Sequence, residues 1–258
     1  MYFTTAFATM WAMRYNQFCA LARAAEILGE RWTLLIIREL LLGPQRFTDL
    51  LGRLNDVSTS VLSERLSRLE EYAVVEKAYL PPPAASSVYR LTESGEALRP
   101  AIYELIHWGG RFLFPSRPGD HFQPDWLRLV LLSYARSTRS PRRSFELRLV
   151  AKEGEAYFGV TGGSAGTIIG DPPVDPDVRI VTDFAGMLGL MSGRVQPMRA
   201  VEAGVVEVEG DIAALADFPK MFDPNGGGGQ WRRQETQSNQ DAPHISEGGQ
   251  HESRISAA

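Results

Sequence analysis

Fifteen residues, Val57 to Glu71 (VSTSVLSERLSRLEE), constrain this chain more than any other stretch. Leu62, Leu66 and Leu69 recur at helical spacing and require a buried stripe. The other face opens with Ser58, Thr59, Ser60 and Ser63 and continues with Arg65 and Arg68. Serine and threonine hydroxyls compete for backbone hydrogen bonds, so clustering them at a helix start costs stability and needs a reason. After Tyr72 the period drops to two. VVEKAYL and SVYRLT alternate as strands around a proline-rich tip, PPPAAS. Any fold must therefore anchor a helix by three leucines and feed it straight into a hairpin.

The preceding residues set what that helix packs on. Residues 18–42 predict two short helices broken near Gly29. The second, from Trp32 to Leu42, is apolar almost all round and reads as a central core helix stopped by Gly43-Pro44. Thr48 is the expected cap of a short helix, DLLGRL, which ends near Leu54 and turns through Asn55-Asp56-Val57. After the hairpin, Thr92 should cap a long helix from Glu93 to about Phe114, with Ala97, Ala101, Leu105 and Phe112 among its apolar positions. Helix, helix, turn, helix, hairpin, helix is the order of a winged helix-turn-helix.

With 258 residues, 44% hydrophobic and 22% charged, the chain has the length and composition of two globular domains. Residues 1–118 carry 13 basic and 12 acidic side chains, a net of +1, and residues 119–258 carry 14 and 19, a net of −5. The expected division is a disordered leader at 1–13, with Met13 as an alternative start, a winged-helix domain at 14–115 and a linker at 116–124. A ligand-binding domain at 125–223 and a polar, glycine-rich disordered tail at 224–258 follow. Within 125–223 the pattern predicts a helix over 125–140, then strands SFELRLV, AYFGVT, GTIIG and VRIVT. Helices AGMLGLMSG and PMRAVEAG, the strand VVEVEG and a last helix near IAALADF complete it. The expected class throughout is α+β. Cys19 is the one cysteine, which excludes an intrachain disulfide. No apolar run approaches a membrane span, so we expect a soluble cytoplasmic protein without membrane partners.

QFCALARAAEILGERWTLLIIRELLLGPQRF, STSVLSERLSRLEEYAVVEK and VYRLTESGEAL together resemble the HxlR family of bacterial transcriptional regulators. The resemblance implies a homodimeric, non-enzymatic binder of double-stranded DNA, with dimer contacts from the terminal helices. Residues 125–222, chiefly through DVRIVTDFAGMLGLMSGRVQPMRAVEAGVVEVEGDIAAL, resemble the lipid-binding domain of sterol carrier proteins, a sheet covered by helices over an apolar tunnel. That resemblance implies a small apolar ligand.

In this setting Thr59, Ser60 and Ser63, behind an N-cap at Ser58, are short enough to let a helix N-terminus approach a major groove. Arg65 and Arg68 would meet phosphates or a guanine edge, and in the plainer reading are solvated or paired with glutamates. Arg46, before the short helix, reads as a phosphate clamp or as solvated rim, while Lys77 and Arg90 on the wing strands suit backbone or minor-groove contact. The wing tip carries no charge. Cys19 reads either as a small hydrophobe or, as the resemblance implies, as a redox sensor with Arg14 and Arg23 nearby. Met187, Leu188, Leu190, Met191 and Met198 line the implied tunnel or form ordinary core. His107 reads as an interface or packing residue.

Gly162-Gly163-Ser164-Ala165-Gly166 matches the nucleophile-elbow pattern, but TIIGDPPVDPD cannot supply the required helix. Histidines and the cysteine lack metal-ligand spacing, so neither metal nor cofactor is expected. The competing class is a lipid carrier or hydrolase-like protein whose winged helix serves only as an interaction module.

Overall fold

The computed structural model of the chain describes residues 15–81 and 85–223. The expected leader, the wing-tip residues 82–84 and the expected tail lie outside them.

The first half is built from α1 (Ala20–Leu28), α2 (Thr33–Leu41), α3 (Phe47–Arg53) and α4 (Thr59–Glu71). The antiparallel hairpin β1 (Val75–Leu80) and β2 (Ser86–Leu91) follows, then α5 (Glu93–Glu96) and α6 (Arg99–Gly109). Ile36, Ile37 and Leu40 of α2 meet Leu50 of α3 and Leu62, Leu66 and Leu69 of α4 in one core. Those three leucines are at most 1% exposed, and burying each contributes about 2 kcal/mol. Trp32 enters α2 at φ 80°, in the left-handed region, where a bulky residue is strained. Gln45 exchanges backbone hydrogen bonds with Tyr89 of β2 (3.0 and 2.8 Å), tying the wing to the loop that leads into α3.

The second half opens with a 3-10 turn (Pro124–Trp126) and α7 (Leu127–Tyr134). Its sheet has the order β5-β4-β3-β6-β7, from β3 (Ser144–Ala151), β4 (Gly154–Gly163), β5 (Gly166–Gly170), β6 (Val178–Thr182) and β7 (Val206–Gly210). β3 and β6 run parallel and the other pairs antiparallel. Strand alternation sends Phe145, Leu147 and Leu149 to a core shared with α7, α8 (Phe184–Met191), α9 (Pro197–Glu202) and a closing 3-10 segment (Ile212–Met221). The outer face is charged, with Arg148 paired to Glu155 at 2.7 Å and Arg179 to Glu146 at 3.0 Å. Leu129 of α7 is part of the first half's core.

Four expected elements differ. The short helix is capped at Arg46, not Thr48, because the Arg46 backbone N–H is met by the Asp49 carboxylate. Thr92 does cap, accepting from the Gly95 N–H at 3.1 Å, but the expected long helix breaks at Ala97-Leu98. Pro100 has no N–H for a helix interior and sits instead in the first turn of α6. Gly95 lies against the residue before β1, where a Cβ would stand 2.1 Å from the Val74 carbonyl oxygen. The helix expected over 125–140 stops at Tyr134, where Ala135 turns extended and bridges Phe222. The last helix is 3-10, with Pro219 inside it.

Candidate nucleic-acid interface

α4 presents two unlike faces. Its leucines are sealed into the core, and Thr59, Ser60 and Ser63 are exposed at its N-terminal end. Ser58 is the N-cap and accepts from the Val61 N–H at 3.3 Å, with its hydroxyl 3.1 Å from that of Ser60. The first-turn amides and the helix dipole therefore point at solvent beside short hydroxyls, an arrangement that favours an incoming phosphate. Ser67 is exposed too, continuing the Thr59 and Ser63 edge by one turn. The expected set omitted it, although the spacing 59, 63, 67 was there to be read.

Arg65 and Arg68 point elsewhere. Their side chains are 16% and 18% exposed, and both pair with Glu30, which is itself 7% exposed. Arg68 Nη1 donates to Glu30 at 3.0 Å and its Nη2 to the Glu26 carbonyl at 2.8 Å. These guanidiniums tie α4 to the end of α1 and the turn beyond it. Of the two alternatives for these arginines, pairing with glutamates is the arrangement present.

Arg46 is exposed at the start of α3. Lys77 is 56% exposed, 3.2 Å from Glu70 and over the Tyr89 ring, so its pKa is raised, chiefly by the hydrogen bond to Glu70. Arg90 is 55% exposed and 2.7 Å from Glu76. Each expected wing cation thus has an acidic neighbour that a phosphate would have to displace.

Cys19 is exposed and stands at the N-cap of α1. Arg23 is 2.9 Å from Glu26, and Arg14 lies outside the described residues. In the second half Met187 and Met191 are packed in the core with Leu190, Leu188 is half-buried, and Met198 is exposed. His107 packs on the Tyr134 ring at 4.3 Å between centroids, joining α6 to α7. Ser164 lies in the two-residue turn between β4 and β5, with no helix after it. Among the described residues no three metal-binding side chains cluster, and no helix is long and apolar enough to cross a membrane.

Comparison with known proteins agrees with the two halves. Residues 27–117 match the model of the HxlR-like helix-turn-helix family, and residues 135–223 that of the SCP-2 sterol transfer family. The uncharacterized HTH-type transcriptional regulator YvaP of Bacillus subtilis is 37% identical over 105 residues, covering 40% of this chain and 97% of that protein. The HTH-type transcriptional regulator YodB of the same organism is 37% identical over 106 residues, 41% of this chain and 92% of its own. The solved structure of reduced YodB has 35% identity and a TM-score of 0.34, covering 39% of this chain and all of that one. The relatives thus span the first half. The chain belongs to the HxlR-like helix-turn-helix family of DNA-binding transcriptional regulators and carries an SCP-2 sterol transfer family domain in its C-terminal half.

Proposed function

We propose that the protein regulates transcription as a homodimer on a two-fold-related operator, with an apolar ligand in its SCP-2 domain modulating the binding. The observation that carries the reading is the hydroxyl edge of α4, exposed at a helix N-terminus while the opposite edge is fixed by three buried leucines. Ser58, Thr59, Ser60 and Ser63 form the groove-facing edge, with Arg46, Lys77 and Arg90 on phosphates to either side. For Arg65 and Arg68 a phosphate must compete with Glu30, so their share is smaller, and their main work is to hold α4.

Dimerisation is supported by apolar side chains left outside the core on the terminal helices. Phe18 and Leu21 are fully or largely exposed near α1, as are Trp108 and Phe112 at the end of α6. Large apolar groups so placed favour a second copy, and a two-fold would set the two α4 helices about one DNA turn, or a multiple, apart. Met187, Leu188 and Met191 on α8, with Met198 on α9, are the candidate ligand contacts. Cys19, exposed on the same terminal segment, is the candidate redox group, read by whether thiol oxidation alters DNA retention.

The test is a gel shift and footprint on DNA upstream of the protein's own gene. A two-fold-related protected site, weakened by Thr59→Ala, Ser60→Ala and Ser63→Ala together, supports the reading. Retention unchanged by that triple variant sinks the assigned face. Tight lipid binding with no DNA retention even at low salt would favour the lipid carrier.

A further inference from the structure

Glu39 is the one acidic residue in the mostly apolar run TLLIIRELLL, beside Arg38, and its side chain is 0% exposed. Four hydrogen bonds converge on it. Arg38 donates to Oε1 from Nε (2.9 Å) and Nη2 (2.6 Å), and Arg53 donates to Oε2 at 2.6 Å. The fourth comes from the other half of the protein, where the Trp126 indole N–H donates to Oε1 at 2.7 Å. Asp125 holds the far side of Arg53 at 3.0 Å, and the Arg38 guanidinium lies 3.7 Å over the Trp126 ring.

Two guanidiniums already neutralise the carboxylate, so the indole is not needed for charge balance. What it adds is register. Arg53 is the last residue of α3, and only the turn Leu54–Val57 separates it from the Ser58 cap of α4. Fixing Arg53 through Glu39 therefore fixes the entry to α4. On its other side Trp126 meets Phe122 edge-on at 6.0 Å, and Phe122 meets Phe184 at 4.8 Å. Phe184 is the first residue of α8, the helix that carries Met187 and Met191.

We infer that Trp126, Phe122 and Phe184 are positioning residues for DNA reading, setting the pose of α3 and α4 according to how α8 is packed. A close-packed aromatic chain transmits a displacement instead of absorbing it, and the Glu39 centre has too many mutual bonds to yield piecemeal. A ligand that bound differently to two packings of α8 would thereby act on DNA affinity. The consequence for DNA rests on the function proposed above. The train itself does not.

The experiment is hydrogen exchange on the full chain, wild type against Trp126→Phe, Phe184→Leu and a control, Phe145→Leu, whose ring packs on Phe218 instead. Trp126→Phe keeps the ring and both ion pairs but removes the bond to Glu39. It should speed exchange of the Leu50–Leu54 amides by about tenfold, the scale of one lost hydrogen bond to a charged group. Phe184→Leu should speed the same amides a few-fold, whereas Phe145→Leu acts only within the second half. Effects of Phe184→Leu confined to α8 and the sheet, or α3 unchanged in Trp126→Phe, overturn the inference. On operator DNA, Trp126→Phe should weaken binding without altering its salt dependence, since it removes no phosphate contact. If the wild type retains no DNA the proposed function fails, while the exchange result still decides the train.

Discussion

Two buried carboxylates in the winged helix use the same chemistry for different ends. Glu30 gathers Arg65 and Arg68, both from α4, and so closes the first half on itself. Glu39 gathers Arg38 and Arg53 from the first half and Trp126 from the second, and so joins the two halves. Their guanidiniums are similarly covered, 16% and 18% exposed around Glu30 and 20% and 21% around Glu39. The difference lies in the fallback partners. Arg65 also pairs with the exposed Glu64 at 3.1 Å, and Arg68 holds the Glu26 carbonyl. Around Glu39 only Arg53 has a second carboxylate, Asp125. A buried charge with no alternative partner is the costlier one to orphan.

The largest effect should therefore come from Glu39→Ala, which strands the Arg38 guanidinium and the indole N–H together and leaves Arg53 to Asp125 alone. We expect a loss of about 3 kcal/mol or more in urea unfolding, the scale of breaking a buried pair. Glu30→Ala should lose less, about 1–2 kcal/mol, because its arginines keep other partners. A loss equal to that of Glu39→Ala would dissolve the contrast.

Glu30→Ala has a second consequence of opposite sign. Arg65 and Arg68 are then left with their weaker partners, Glu64 and the Glu26 carbonyl, from which a phosphate at the proposed DNA face can draw them more easily than from Glu30. Binding should tighten, and the salt dependence should steepen by up to about two phosphate contacts, read as the slope of log affinity against log salt. The triple variant of Thr59, Ser60 and Ser63 should do the reverse, weakening specific binding about tenfold with little change in stability, since the N-cap Ser58 is left in place. If Glu30→Ala weakens DNA binding instead, Arg65 and Arg68 act by holding α4 and not as reserve contacts.

The two centres also mark where sequence reading reaches and where it stops. Leu62, Leu66 and Leu69, the Ser58 cap and the alternation of the wing and sheet strands are local patterns, and each formed as expected. The break at Ala97-Leu98 has a local signal in Pro100, which opposes the helical apolar spacing around it. The ion-pair centres were not legible, because partners lie 38 residues apart in Arg68–Glu30 and 87 apart in Trp126–Glu39. A glutamate inside TLLIIRELLL announces a buried charge without naming what neutralises it. The same limit applies to α8, where a run of methionines and leucines reads alike as core or as a ligand wall.

The junction of the halves has a second, weaker end, which gives the smallest effect. Trp126 precedes α7 and Tyr134 closes it, and there His107 of α6 packs on the tyrosine ring. Burial lowers the His107 pKa, opposed by Glu104 on its own helix and by a backbone bond at Ser133, while Arg194 is the charge acting on Tyr134. A histidine with a lowered folded pKa prefers to be neutral in the folded state. Its contribution is present above the unfolded value and is lost as pH falls through the folded one, because the unfolded chain takes up the proton more readily. We expect the urea midpoint to fall between pH 7.5 and pH 5.5 and His107→Phe to flatten that fall, since phenylalanine keeps the ring packing and cannot charge. A fall of the same size in His107→Phe would show that the His107–Tyr134 contact is not the pH-sensitive end of the junction.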